Sequence, residues 1–100
     1  MASRVEMCKE FNYSIAKRLN DGGYVVKEAS MSKLLSTKMA DEVIYDALQL
    51  LGGYGYMEEY PMARLLRDSR LGPIGGGTSE ILKEIIAKIV IDGKEYKPVT

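Results

Sequence analysis

The sequence predicts an all-α fold: an antiparallel bundle of three main helices and one short one. Three observations predict it. Apolar residues recur at spacings of three and four along four separate stretches, the period of an α-helix. No strand-like alternation competes with them. Clusters rich in glycine or carrying proline separate the stretches, around Asn20–Gly23, Gly52–Pro61 and Gly72–Gly77.

The first stretch, residues 3 to 20, carries Val5, Cys8, Phe11, Ile15 and Leu19 on one face. Arg4, Lys9, Glu10, Lys17 and Arg18 lie largely off that stripe, and Asn20-Asp21-Gly22-Gly23 is a stop signal. The second, residues 25 to 51, places Leu34, Leu35, Met39, Val43, Ala47, Leu48 and Leu51 three or four apart, with Ile44 widening the stripe. At ~1.5 Å per residue it makes a rod of about 40 Å. Three glycines in four residues, Gly52-Gly53-Tyr54-Gly55, then release the backbone to φ > 0 and form an aromatic corner. Pro61 has a helical φ and no N–H to lose, so it suits the first turn of a short helix over 61 to 70. Met62, Leu65 and Leu66 point inward there. Arg64 and Asp68 stand four apart and are expected to pair. Arg64, Arg67 and Arg70 make a solvated basic face.

Leu71 to Gly77 reads as a non-helical connection. Thr78 is a good N-cap, and Ser79 and Glu80 suit the first turn of the last helix. Ile81, Leu82, Ile85, Ile86, Ile89 and Val90 build its broad apolar stripe, which stops near Asp92-Gly93. Residues 1–92 thus form one helical unit, and 93–100 a frayed tail.

Composition narrows the function classes. The 100 residues are 46% hydrophobic and 28% charged, with a formal net charge of zero. That balance argues against a nucleic-acid binder or a ligand for anionic membranes. Histidine is absent, which removes the commonest general base and metal ligand. Cys8 is the only cysteine, so no internal disulfide forms, and no histidine stands ready to activate it. Cys8, Met31, Met39 and Met62 are read as core residues. No apolar run is long enough for a transmembrane helix, and no metal site is expected.

The motifs hold up unevenly. Gly72-Pro73-Ile74-Gly75-Gly76-Gly77-Thr78 imitates a P-loop, but Thr78 stands where the lysine belongs and no strand precedes it. Gly53-Tyr54-Gly55 has no strand leading into it either, so it is no dinucleotide fingerprint. A helix-turn-helix reader would need a shorter turn and a more basic chain. What survives is physical: glycines before a helix start let a ligand approach closely, and free N–H groups there favour anions.

Four segments together resemble the C-terminal helical domain of the acyl-CoA dehydrogenase family. They are Ala47-Leu48-Gln49-Leu50-Leu51-Gly52-Gly53-Tyr54-Gly55-Tyr56, Glu59-Tyr60-Pro61, Leu66-Arg67-Asp68-Ser69-Arg70 and Pro73-Ile74-Gly75-Gly76-Gly77-Thr78-Ser79-Glu80-Ile81. They fall in the family's order and spacing across residues 3 to 92, nearest its long-chain and isovaleryl-type branches.

The resemblance implies most of a C-terminal four-helix bundle, its first helix missing, from an FAD-dependent oxidoreductase of fatty-acid or branched-chain acyl breakdown. The chain is then expected to be a fragment that is inactive alone. Gln49, Gly52 and Gly53 match an element that reaches the FAD of a neighbouring subunit. Thr78 and Glu80 match positions that touch FAD. Many relatives place the catalytic glutamate two residues before that threonine, and here Gly76 stands there. The base is therefore expected from the missing helix, with Glu58, Glu59 and Glu80 as the nearest local carboxylates. The implied partners are an acyl-CoA substrate, electron-transfer flavoprotein and further copies of the chain. The implied location is a bacterial cytoplasm or a mitochondrial matrix. A self-associating helical interaction module without chemistry is the alternative.

Overall fold

A computed structural model describes residues 1–96. Five helices appear among them: α1 Ala2–Asn20, α2 Val26–Leu51, α3 Gly53–Tyr56, α4 Met62–Ser69 and α5 Ser79–Asp92. The all-α expectation holds, with no strand among the described residues.

α2 is the spine. α1, α3, α4 and α5 each pack against it, and apart from α3 on α4 they do not pack on one another. α1 runs antiparallel to α2. Arg4 pairs with Glu42 at 3.1 Å, the Ser32 hydroxyl donates to Asn12 Oδ1, and Arg18 lies 3.9 Å from Glu28. α4 returns along the other flank, where the Ser69 hydroxyl donates to Asp41 Oδ1 at 3.2 Å. α5 starts beside Lys33 and ends towards the α1–α2 loop, where the Tyr96 N–H donates to the Tyr24 hydroxyl. The tail was expected to fray from residue 94. Its residues 94–96 instead turn back onto that loop, and residues 97–100 lie outside the described residues.

The core is thin. Its buried apolar side chains are Ile15, Val25, Ala63 and Leu82, and no large side chain is fully buried. The α1 stripe is only partly used: Ile15 is buried, Cys8 and Phe11 are half-buried, and Val5 and Leu19 are exposed. On α2, Leu35 and Leu51 of the expected stripe are also exposed. The most buried side chains of α2 are Ser30 and Ser32. Small side chains there let a neighbouring helix approach closely, and Ser32 keeps its hydroxyl satisfied through Asn12. On α5, Leu82 is buried, Ile85, Ile86 and Ile89 are half-buried, and Ile81 and Val90 are exposed. The predicted stripe was wider than α2 alone covers.

The connections also differ in detail. The glycine corner contains an extra helical turn, α3. Of its three glycines only Gly52 has positive φ, +61°. Gly55 is needed for another reason. A Cβ there would lie 2.6 Å from the Leu48 carbonyl oxygen and 3.2 Å from Leu51 Cβ. Its absence lets the chain fold flat against the end of α2.

Candidate functional site

Two corners carry the residues that the sequence singled out. At the first, α2 ends and the Gly52 N–H donates to the Gln49 carbonyl at 3.1 Å. Gln49, Gly52 and Gly53 are all exposed. Tyr54 and Tyr60 meet edge to face, with ring centroids 5.3 Å apart at 75°. Pro61, at φ −74°, leads into α4 as expected.

Arg67 does not join Arg64 and Arg70 in a simple basic face, and Arg64 makes no ion pair with Asp68 among the described residues. Arg67 reaches back to Glu58 with two bonds, Nη1 to Oε1 at 2.7 Å and Nη2 to Oε2 at 3.2 Å. The hydrogen bond, then the charge, of Arg67 holds the Glu58 carboxyl below the usual carboxylate range, and Glu58 in return raises Arg67. This forked pair ties the turn after α3 to α4. Sequence spacing favoured the helical i,i+4 partner. The turn at residues 57–61 brings Glu58 opposite the guanidinium instead.

The second corner is the loop from Leu71 into α5. Thr78 is the N-cap: its Oγ1 accepts from the Ile81 N–H at 3.2 Å. The Ser79 N–H donates to the Pro73 carbonyl at 3.1 Å, closing the loop on itself. Gly76 and Gly77 take φ +69° and +105°. Among the described residues the amides of Gly76, Gly77, Thr78 and Glu80 have no acceptor in the chain. Thr78 is half-buried, and Gly76 and Glu80 are exposed. A short row of free N–H donors therefore stands at the positive end of α5. A Cβ on Gly76 would meet only Lys33 Cε, at 4.0 Å, so the approach to the row is open.

One contact at this corner had no local signal. The Lys33 ammonium, on α2, donates to the Gly77 carbonyl. The two residues are far apart in sequence, and only the tertiary fold joins them.

The structure does not bring the two corners together. The second is tied to Lys33 and the first begins at Gln49. Between those residues α2 rises about 24 Å, at ~1.5 Å per residue. A groove of about 710 Å³ is lined by none of Gln49, Gly52, Gly53, Thr78 and Glu80. It lies over α2 between α1 and α4 and is lined by Arg4, Glu42, Asp46, Arg67 and Arg70. Arg4 is paired there with Glu42 at 3.1 Å and Asp46 at 3.5 Å.

Comparison with known proteins shows the family. The family described as acyl-CoA dehydrogenase, C-terminal domain, matches residues 1–91. Mitochondrial isovaleryl-CoA dehydrogenase of Bos taurus is 38% identical over 88% of this chain and 21% of its own length. Mitochondrial long-chain specific acyl-CoA dehydrogenase of Sus scrofa is 50% identical over 66% of this chain and 15% of its own. The crystal structure of an acyl-CoA dehydrogenase from Geobacillus kaustophilus superposes with a TM-score of 0.89 at 41% identity. It covers 91% of this chain and 24% of that one. The chain thus spans a quarter or less of the relatives it matches.

Proposed function

The chain belongs to the acyl-CoA dehydrogenase family, as its C-terminal domain, and on that premise we propose that it serves the FAD-dependent α,β-dehydrogenation of acyl-CoA thioesters. Its part is to supply cofactor and subunit contacts. The observation that carries this reading is the row of free amides from Gly76 to Thr78 at the start of α5, beside a glycine that blocks nothing. Polar edges of a flavin fit such a row. The Thr78 Oγ1 accepts from Ile81, so its hydroxyl proton remains free to donate outward. Glu80, exposed in the first turn, is the further contact at this corner.

Gln49, Gly52 and Gly53 are proposed as a second cofactor contact. Their distance from the Thr78 corner supports a shared arrangement, in which one chain touches its own FAD and that of a neighbouring copy. Bound FAD would accept the β hydride and pass electrons to electron-transfer flavoprotein. No residue of this chain is assigned the α-proton abstraction. Gly76 has no side chain, Glu58 is engaged through both oxygens by Arg67 and is a weaker base for it, and Glu59 and Glu80 are exposed. The base comes from outside these residues, and the chain alone is inactive. No helix of the described residues is long and apolar enough to cross a membrane. A bacterial cytoplasm or mitochondrial matrix suits the chemistry.

The test uses full-length enzyme carrying this chain. Thr78→Ala and Gln49→Ala should each weaken FAD binding about fivefold, the worth of one ordinary hydrogen bond. Unchanged flavin affinity in both variants would refute the assignment. The 100-residue chain by itself should purify colourless, and a yellow preparation with stoichiometric FAD would contradict its inactivity.

A further inference from the structure

Lys33 joins α2 to the glycine loop. Its ammonium has no carboxylate partner among the described ion pairs. Its bond goes to the Gly77 carbonyl. Nothing in the local chain requires that contact, because α2 is complete without it.

The consequence lies in the peptide plane. Among the described residues no peptide bond is cis, so the Gly77–Thr78 unit is trans and planar. In a trans unit the C=O and the following N–H point in opposite directions. Drawing the Gly77 carbonyl in towards α2 therefore turns the Thr78 N–H out, away from the helix. Gly77 sits here at φ +105°, which a residue with a side chain rarely adopts. The carbonyl is also the group that would otherwise sit beside the free amides and repel an anionic or oxygen-rich ligand.

We propose that Lys33 is a positioning residue for the cofactor corner: it holds the Gly77 carbonyl against α2 and so aims the Thr78 N–H at the bound group. This rests on the flavin reading above, but the loop contact can be read without any flavin. Lys33 acts through Gly77 and touches no cofactor. The contact also locks α5 to the spine at its first turn. Together with the Ser79-to-Pro73 bond it ties the loop at two points.

The test has two arms. In the 100-residue chain, amide exchange and ¹H–¹⁵N spectra compare Lys33→Met and Lys33→Arg with the parent. Met keeps the apolar stem and removes the donors, whereas Arg keeps a cation and donors. Lys33→Met should speed exchange of the Ser79 amide by about tenfold and shift the Thr78 resonance, the loss of one charge-assisted bond. Lys33→Arg should restore most of both. The Lys33 NH₃⁺ protons of the parent should be protected from solvent exchange, a readout that survives even if a variant fails to fold. Unprotected NH₃⁺ protons, or a Lys33→Met loop indistinguishable from the parent, would overturn the proposal. In the full-length enzyme, Lys33→Met should weaken FAD about as much as Thr78→Ala, with Lys33→Arg near parental. If the loop responds as stated but Thr78→Ala and Gln49→Ala leave flavin binding intact, the flavin reading falls. The loop contact then stands without its ligand. If Thr78→Ala weakens FAD and Lys33→Met does not, the positioning role falls and the flavin reading stands.

Discussion

At Gly55 the missing side chain is what shapes the corner. Its Cα sits so close to the end of α2 that a methyl group would press on the Leu48 carbonyl at 2.6 Å and the Leu48 Cγ at 3.0 Å. A backbone oxygen cannot swing aside as a side-chain tip can. Gly55→Ala should cost about 2–3 kcal/mol. Gly53 is the control, two residues earlier: nothing lies within 4 Å of a Cβ there, and its φ is not positive. Gly53→Ala should be neutral or stabilise by up to about 0.5 kcal/mol. Urea unfolding of the two variants checks the pair, and equal losses would show that the corner is not packed as described. Gly76 is constrained differently. A glutamate Cβ there would meet only Lys33 Cε at 4.0 Å but take φ +69°, so placing a carboxylate here carries backbone strain of ~1–2 kcal/mol.

Among the elements, the α3–α4 corner has the clearest electrostatic device. The Glu58–Arg67 fork closes the turn that Tyr54 and Tyr60 fill. The Glu58 pKa is depressed in the folded chain, mainly by its hydrogen bond to Arg67. The sign follows: the contribution to stability is present above the unfolded carboxylate pKa. It is lost as pH falls through the lower, folded value. Both partners are fully exposed, so salt screens the pair and its effect is local. Resonances of residues 54–67 should therefore shift together as Glu58 takes up its proton on acidification below the usual glutamate range. Glu58→Gln should abolish that titration and leave the corner in its low-pH state at neutral pH. A corner whose spectrum ignores both pH and the substitution would remove the fork from the account. The other elements need less explanation. Thr78 caps α5 at one end and Gly93 closes it at the other, both as the residue types predict.

As a whole molecule the chain is open. A compact protein of this size has a radius of gyration of about 13 Å, whereas the chain has 16.2 Å. Its accessible surface is 7311 Å², against about 5,700 Å² for a compact chain of this mass. The excess is about twice what one partner gives to a standard interface. The chain is elongated, and helices that pack mainly on α2 leave large apolar side chains uncovered. Met7, Leu35, Leu50, Ile81 and Val90 are among those exposed. The chain should self-associate at micromolar concentration, with α5 near the contact. Ile85 and Ile89 are half-buried on the α2 side, so charging them would unfold the chain as readily as separate it. Ile81→Asp with Val90→Asp alters exposed positions and should release folded monomer. Sedimentation equilibrium decides: a stable parent species of 11.1 kDa would overturn the expectation.

The order and approximate ends of four of the five helices were legible in the sequence, because period, caps and breakers are local; the single turn α3 was not. Thr78 as cap, Pro61 at the head of α4 and the loop before α5 all follow from neighbours within a few residues. The family, too, was legible, from four segments whose order and spacing no single motif carries. Tertiary structure alone decided the rest. An apolar stripe says which face seeks cover but not how much cover exists. With α2 as the only shared partner, Val5, Leu19, Ile81 and Val90 stay in solvent, and two serines become the most buried side chains of the spine. Periodicity also could not foresee Glu58 with Arg67, or Lys33 with Gly77. Those pairs depend on where the chain turns in space, and a side chain bonds to whatever the fold brings within reach.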